Sequence, residues 1–370
     1  MIRTVGCLGA GQLGRMLALA GRPLDIALRF LDPGTHPPAA PVGELHVGRY
    51  DDPAALERFA AGLTHVTYEF ENVPVAALER VGRSARIFPP ARALAEGSDR
   101  LREKAHFQAL GIPVAEHAPV DGLESLAAAL ARVGLPAVLK TRRSGYDGKG
   151  QAVVRTEEEA RRALAALGGT PLLLERLVPF TREVSAIAVR SQQGEVRMYP
   201  LVENVHREGI LRVSRAPAPG LAPGLEEAAR GYVGRLMDDL GFVGVLTLEM
   251  FEEGGRLLAN EMAPRVHNSG HWTLEGAETS QFENHLRAGL GLPLGATGAR
   301  GHAGMVNLVG SVPPLEALLA IEGAHVHLYG KDARPARKLG HVTVVAASAA
   351  ERDRRLSAVQ ALVEASQAPA

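Results

Sequence analysis

Two glutamates, Glu249 and Glu261, stand in the apolar runs "VLTLEM" and "LLANEM" on either side of a glycine turn. With Glu253, Gly254 and Gly255 as a three-residue turn, Thr247 faces Glu261 and Glu249 faces Ala259. The two carboxylates then share one face as a diagonal pair, roughly 7–8 Å apart at the backbone. Such a pair can hold a hard cation, and one or two carboxylates with phosphate oxygens is the usual Mg²⁺ arrangement beside a nucleotide. Asn260 alternates to the opposite face. Directly after comes "APRVHNSGHWT", bringing Arg265, His267, Asn268, Ser269, His271 and Trp272 into one short segment. A planar guanidinium fork flanked by neutral donors suits a carboxylate or bicarbonate. The i, i+4 spacing of His267 and His271 would suit a metal on a helix, but Asn-Ser-Gly between them predicts a loop, and zinc is rejected.

Cations are placed selectively. Of 41 basic residues only five are lysine: Lys104, Lys140, Lys149, Lys331 and Lys338. Lysine offers a compact charge with rotating donors where arginine offers a rigid fork, so a phosphate site shaped for one does not accept the other freely. Two of the five fall in "KTRRSGYDGKGQ", which lacks the Gly-Lys-Ser/Thr ending of a P-loop. A second glycine loop, "GAGQLG" at Gly9–Gly14, matches the dinucleotide fingerprint, with Asp32 as its acidic partner. Taken alone it predicts an NAD-dependent dehydrogenase.

The elements that must position these groups follow from pattern. "IRTVGCLGAGQLGRMLALAG" and "LDIALRFLDP" make a βαβ unit whose second strand ends at Asp32. "DDPAALERFAAG" is a helix with an Asp cap and Pro53 at its first position, and "THVTYEFENVP" is a strand halted before Pro74. The first hundred residues are therefore predicted to be a parallel-sheet domain. Helix "ESLAAALARVG", strand "PAVLK", the lysine-bearing loop, strand "QAVVR" and a helix capped by Thr156 with Glu159 form a small α+β unit. Antiparallel strands, a helix from about Leu225 to Leu240 and the glutamate hairpin form a larger one. The tail from about Gly301 mixes strands and loops and closes on a helix.

Composition sets the outer bounds. At 46% hydrophobic and 22% charged residues with zero formal net charge, the chain is that of a globular protein of two or three domains without a nucleic-acid footprint. No run is long enough to span a membrane, and "MIRTVGCLGAGQLG" lacks a signal peptide, so a cytoplasmic location is expected. Cys7 is the only cysteine, which excludes an internal disulfide and predicts a buried core thiol.

Taken together and in order, "GAGQLGRM", "YEFENVP", "DRLREKAHF", "KTRRSGYDGKGQ", "LLLERLV", "NVHREGIL", "LANEMAPRVHNSGHWT" and "KDARPARKLGH" resemble the ATP-grasp superfamily. Within it they resemble the family that carboxylates 5-aminoimidazole ribonucleotide in purine biosynthesis. That resemblance implies a Rossmann-like pre-ATP-grasp domain at 1–98, a lid at 99–182, a catalytic subdomain at 183–300 and a small β-rich subdomain at 301–370. It implies that Arg100, Lys104 and Lys140 contact ATP phosphates while Gly145, Tyr146, Asp147, Gly148, Lys149, Gly150 and Gln151 close over them. Glu175, Arg176, Leu177 and Val178 would form the adenine hinge, Glu183 would bind ribose, and His206 and Asn260 would line the nucleotide site. Glu249 and Glu261 would hold Mg²⁺. Tyr146, Lys149, Arg265, His267, Asn268, Ser269, Lys331, Arg337 and Lys338 would face bicarbonate and the ribonucleotide, with Arg265, His267, Asn268 and Lys149 closest to the chemistry. The expected activity is ATP- and bicarbonate-dependent carboxylation of the exocyclic amine through carboxyphosphate, in a homodimer. The alternatives are another ATP-grasp acyl-phosphate ligase, of the formate-using glycinamide ribonucleotide transformylase or biotin carboxylase type, a dehydrogenase, or a nucleotide-binding regulator without turnover.

Overall fold

The structure, a computed structural model, describes residues 3–143, 145 and 149–367. Strand β1 (Arg3–Leu8) is buried from Val5 to Leu8, the pattern of a central parallel strand covered on both faces. Around it β2 (Ile26–Asp32), β3 (Glu44–Val47), β4 (His65–Tyr68) and β5 (Arg86–Ile87) pair in parallel in the order β3-β2-β1-β4-β5. Helices α1 (Gln12–Gly21), α2 (Pro53–Ala60), α3 (Val75–Val81) and α4 (Ala91–Gly97) complete this layer. The Asp52 carboxylate caps α2 by accepting the Ala54 N–H at 2.9 Å, with Pro53 at its first position as predicted. Strand β4 ends at Tyr68 rather than running on to Pro74. Glu69 and Glu71 are thereby left in a loop above the carboxyl ends of the strands, where open parallel sheets bind ligands.

Helix α5 (Arg100–Ala109) leads into an antiparallel sheet of β6 (His117–Val120), β7 (Ala137–Thr141), β8 (Gln151–Val154) and β9 (Leu172–Arg176), ordered β6-β9-β7-β8. Helices α6 (Leu123–Val133) and α7 (Glu157–Leu167) bury Leu126, Ala129, Ala160 and Ala163 against Leu139, Leu172 and Leu174. Thr156 caps α7 through the Glu159 N–H, but the Glu159 carboxylate accepts from Arg155 N–H at 2.7 Å. Only half of the predicted reciprocal box forms.

The remaining strands are β10 (Arg182–Arg190), β11 (Val196–Met198), β12 (Val202–Arg207), β13 (Ile210–Ala216), β14 (Gly244–Glu253), β15 (Arg256–Ala263), β16 (His302–Val309), β17 (Ala324–Leu328) and β18 (Lys338–Ala346). They form one mainly antiparallel sheet in the order β15-β14-β10-β12-β13-β16-β18-β17, with β11 on β10. Because β13 pairs with β16, the C-terminal strands continue the sheet of the preceding subdomain across residue 300. Helix α8 (Leu225–Asp239) covers β10 and β14, α9 (Thr273–Gly276) and α10 (Gln281–Gly289) cover the other face, and α11 (Leu315–Leu319) and α12 (Ala349–Gln367) finish the C-terminal end. On α10, the fully buried His285 accepts the Val245 N–H at Nδ1 (3.1 Å), so its Nε2 proton is donated to Thr67 Oγ1 at 2.8 Å. One ring thus bolts β4 of the first domain to β14 of the catalytic sheet. Among the described residues no helix is long and apolar enough to cross a membrane.

The hairpin that carries the two glutamates differs from its predicted register. Gly254 and Gly255 alone make the turn, both with positive φ (57° and 75°), the backbone that a two-residue hairpin needs. A bulge between Glu249 and Met250 then inserts Asn260 as the extra residue. The two changes bring Glu249 directly opposite Glu261 instead of Ala259, and Thr247 opposite Ala263.

Candidate active site

With Glu249 and Glu261 face to face, the acids need cations, and the sequence supplies them from other elements. Arg100, at the first turn of α5, places Nη1 2.5 Å from Glu261 Oε2. His267 places Nε2 3.3 Å from Glu249 Oε1. Desolvation and the charge of Glu261 push the Glu249 carboxyl above the usual carboxylate range. For Glu261 the same desolvation is outweighed by Arg100, Lys140 and Lys104, which hold its carboxyl low. A carboxylate pair split in this way is short of positive charge on the Glu249 side, and among the described residues the buried Asn260 Oδ1 has no hydrogen-bond partner.

Lys104 and Lys140 converge on a third acid. Lys140 is the fourth residue of β7 and Glu175 the fourth of β9, which pair as neighbours, while Lys104 reaches across from α5. Lys104 Nζ lies 2.7 Å from Glu175 Oε1 and Lys140 Nζ 2.7 Å from Oε2, and Lys104 also donates to the Asn260 carbonyl at 3.3 Å. Burial opposes the Glu175 charge, but the two ammoniums pull its pKa down to about 2. The predicted adenine hinge therefore begins with a side chain that gathers the two predicted phosphate lysines. Its Arg176 forms a two-pronged pair with Glu253 at 2.7 Å, and the N–H groups of Arg176 and Leu177 donate to Glu116 and Pro136 carbonyls. Val178 is buried.

Asp99, missed in the sequence, ties α5 to the lysine-bearing loop. Its Oδ1 caps the helix at Leu101 N–H (3.1 Å) and accepts from Arg142 Nε at 3.0 Å, while Oδ2 accepts from Arg142 Nη2 and Arg143 Nε. Gly145 lines the cleft, and its carbonyl lies 3.5 Å from Arg100 Nη2. Lys149 and Gln151 are exposed and Gly150 half-buried around the turn into β8. Tyr146, Asp147 and Gly148 lie outside the described residues.

The polar loop after the hairpin folds as a single 3₁₀ turn, Asn268–Gly270. His267 Nδ1 accepts the Ser269 N–H (3.3 Å) and contacts Ser269 Oγ at 2.8 Å, so the ring proton sits on Nε2 toward Glu249. Burial, with the charges of Arg265, Lys338 and His206, keeps this imidazole neutral. Gln281, unanticipated from the sequence, clamps the His267 backbone through both ends of its amide (3.0 and 2.6 Å). Ser269 is fully buried and serves His267 rather than presenting its hydroxyl to the cavity. Asn268 does face the cavity, and among the described residues neither its Oδ1 nor its Nδ2 has a partner. His271 turns away and packs on His341, with ring centroids 4.6 Å apart and planes tilted by 37°. Among the described residues no group of three or more His, Cys, Asp or Glu is placed to hold a metal.

These pieces surround one cavity of about 680 Å³ between the first domain, the lid and the catalytic sheet. Arg265 pairs with Glu71, a partner present in the sequence as the second acid of "YEFENVP". His206 Nδ1 is 2.6 Å from Glu183; burial opposes the imidazolium, but the Glu183 hydrogen bond and the charges of Glu249 and Glu183 together raise the imidazole pKa. Lys331, Arg337 and Lys338 line the C-terminal wall, where Lys331 Nζ donates to Gln12 Oε1 at 2.6 Å. The "GAGQLG" loop reaches the cavity, but the amides of its glycines and of Ala10 are taken, Gly9 N–H by the Leu31 carbonyl. Ala10 N–H donates to Asp32 (3.0 Å), and Gly11 and Gly14 N–H both donate to Glu69. Where a dinucleotide pyrophosphate would sit on a dehydrogenase, this chain has its own carboxylate.

Residues 2–96 match the family model of the ribonucleotide synthetase preATP-grasp domain, and residues 105–282 that of the ATP-grasp domain. Residues 303–355 match the phosphoribosylaminoimidazole carboxylase C-terminal domain. The class defined by fold and site is therefore the ATP-grasp ligase. A relative named N5-carboxyaminoimidazole ribonucleotide synthase, from Pseudomonas aeruginosa, is 49% identical over 361 residues, covering 98% of this chain and 99% of its own. The crystal structure of N5-carboxyaminoimidazole ribonucleotide synthetase from Thermus thermophilus superposes with a TM-score of 0.94 at 58% identity, covering 99% of both chains. That of the Aspergillus clavatus synthase in complex with ADP and 5-aminoimidazole ribonucleotide gives 0.91 at 33% identity, covering 98% of this chain and 99% of its own. The chain belongs to the N5-carboxyaminoimidazole ribonucleotide synthase family.

Proposed function

We propose that this protein uses ATP to phosphorylate bicarbonate and transfers the resulting carboxyl group to the exocyclic amine of 5-aminoimidazole ribonucleotide. Bicarbonate oxygen attacks the γ-phosphorus, ADP leaves, and carboxyphosphate forms. The amine then attacks the carboxyl carbon, or carbon dioxide released from it in the site, the bond to phosphate breaks, and the amine proton leaves with the phosphate. The products are the carbamate, ADP and phosphate.

The observation that carries this reading is the unpartnered Asn268 amide beside Arg265 and neutral His267, on the same cavity as the carboxylate pair. A planar carboxylate or bicarbonate would satisfy the guanidinium and Asn268 Nδ2 together. Lys104 and Lys140, fixed by Glu175, would meet the nucleotide phosphates from the opposite side. Glu249 and Glu261 have the donor set and the missing positive charge for Mg²⁺, which would offset phosphate charge during transfer. Enclosure between three units would keep water from carboxyphosphate. The test is ADP release with every combination of bicarbonate, formate and 5-aminoimidazole ribonucleotide. Release requiring bicarbonate and raised by the ribonucleotide is expected; support by formate, or indifference to the ribonucleotide, overturns the proposal.

A further inference from the structure

Helix α5 carries Arg100, Glu103 and Lys104 on one face, at i, i+3 and i+4, and all three end on the same short piece of β15. Arg100 takes the Glu261 carboxylate. Lys104 Nζ donates to the Asn260 carbonyl at 3.3 Å, in the peptide unit before Glu261. Glu103 Oε1 accepts the Met262 N–H at 2.7 Å, in the peptide unit after it. Glu103 is 2% exposed and lines the cavity. One helix face thus grips Glu261 by its side chain and by the backbone on both sides.

Strand β15 is the outer strand of its sheet, so its outward backbone groups need partners other than a strand. Ala259 N–H donates to the Pro113 carbonyl at 2.7 Å, and Met262 N–H to Glu103. These two outward donors are three residues apart, although a regular strand turns every second N–H outward. The extra residue is Asn260, whose bulge sets Glu261 directly opposite Glu249. In an unbulged ladder the Glu261 N–H would turn outward and the Met262 N–H would face β14. Glu103 therefore accepts a donor that stands on the outer edge only in the bulged register. We infer that Glu103 is a positioning residue for Glu261: its carboxyl oxygen locks the bulge from outside the sheet and so holds the two glutamates face to face for a cation. The sequence of the hairpin is compatible with either register, and α5 selects the one observed. This rests on the proposed function for the identity of the cation, Mg²⁺, while the lock itself is tested without it.

The chain has seven methionines, so selective ¹⁵N-methionine labelling gives few amide resonances, and that of Met262 is identified by its loss in Met262→Leu. Two variants withdraw the acceptor: Glu103→Met at equal length, and Glu103→Asp by retracting a carboxylate that keeps its charge. Glu103→Gln keeps an oxygen in place. In the first two the Met262 amide is expected to shift and to exchange its hydrogen at least about tenfold faster, with Met305 on β16 unchanged and Glu103→Gln within about threefold of the parent. Mn²⁺ binding in the presence of ADP, read by electron paramagnetic resonance, should weaken on the order of tenfold in the same two variants and be retained in Glu103→Gln. In a Glu261→Gln background Glu103→Met should weaken Mn²⁺ binding no further, because its effect runs through Glu261. A Met262 amide that neither shifts nor exchanges faster in Glu103→Asp overturns the lock, and this variant decides where Glu103→Met does not fold. Faster exchange at Met262 and Met305 alike shows a merely structural role. Equal weakening of Mn²⁺ in Glu103→Gln makes Glu103 a ligand and overturns its role as a positioning residue. A parent that binds no Mn²⁺ while the Met262 amide responds as expected overturns the cation site and leaves the lock standing.

Discussion

Replacing Glu175 by glutamine removes one negative charge from a site that holds two ammoniums at 2.7 Å and changes almost nothing in shape. The side chains of Glu175 and Lys104 are 2% exposed and that of Lys140 is 11%, so water cannot replace the lost partner. Removing one member of a buried ion pair costs roughly 3–5 kcal/mol, and here one carboxylate serves two cations. The glutamine oxygen can still accept from one lysine, but its NH₂ turns donors toward the other. A loss of about 4 kcal/mol is expected from urea unfolding at neutral pH. The loss should depend on pH with a definite sign. Burial, aided by Lys104 and Arg100, already lowers the Lys140 pKa against the pull of Glu175, and neutralising Glu175 lowers it further. A base depressed in the folded state regains stability as pH rises toward its unfolded pKa, so the gap between parent and variant should narrow by up to about 1.4 kcal/mol per pH unit on the alkaline side. Saturating ATP should also narrow it, because phosphate oxygens would take the place of the missing carboxylate. A gap under about 1 kcal/mol that is flat in pH and indifferent to ATP would refute the three-group account.

Glu261→Gln should abolish most turnover while leaving the fold intact, since it removes one negative ligand from the proposed cation site; near-normal turnover at saturating Mg²⁺ would show that the pair does not hold the metal. Lys140→Arg should cost at least about tenfold in turnover, because a strand-anchored stem 2.7 Å from Glu175 leaves no room for a guanidinium, while Lys149→Arg in an exposed turn stays within a few-fold; equal costs, with both variants melting like the parent, would defeat this. His285, held by burial at a pKa of about 3, should withdraw stability as pH falls below the unfolded value of about 6.5, reaching roughly 2 kcal/mol by pH 5. The penalty of His285→Gln should accordingly shrink by that amount between pH 7 and pH 5, and a constant penalty in urea unfolding would show that burial and the Val245 bond do not hold the imidazole neutral.

Much of this site was legible because its groups come in short local runs. The acids of "VLTLEM" and "LLANEM", the polar "RVHNS" and the lysine ending "PAVLK" each pair a chemical group with a period that fixes its side. Register was less legible. A three-residue turn and a two-residue turn followed by a bulge both place Glu249 and Glu261 on one face, and only the fold of Asn260 out of the ladder decides between a diagonal and a direct pair. Long-range partners were not legible at all. Asp99 with Arg142, Glu71 with Arg265, and Gln281 with His267 are contacts between separate elements, and no local pattern announces them. The glycine fingerprint misled for the same reason: its sequence permits an anion at Gly11 and Gly14, but whether that anion is a cofactor or Glu69 depends on a loop 55 residues away.

The cavity pairs its charges internally: Arg100 with Glu261, Lys104 and Lys140 with Glu175, Arg265 with Glu71, His206 with Glu183. Each pair keeps a long side chain extended and aimed before any ligand arrives, so less rotamer freedom is lost on binding. Each also sets an opposite charge beside its cation, which offsets part of the cost of taking that cation out of water. An arriving phosphate or carboxylate then meets a cation whose geometry is set, and it shares that cation with an acid instead of introducing unbalanced charge. Exchange of this kind places different demands on the two basic residue types. Arginine, with five donors, can hold an acid with one edge and a ligand with another, as Arg265 does with Glu71 and the Val266 carbonyl. Lysine must turn the same three donors between partners, which needs a compact head on a fixed stem, and Lys104 and Lys140 stand where one carboxylate and a phosphate chain would have to share it.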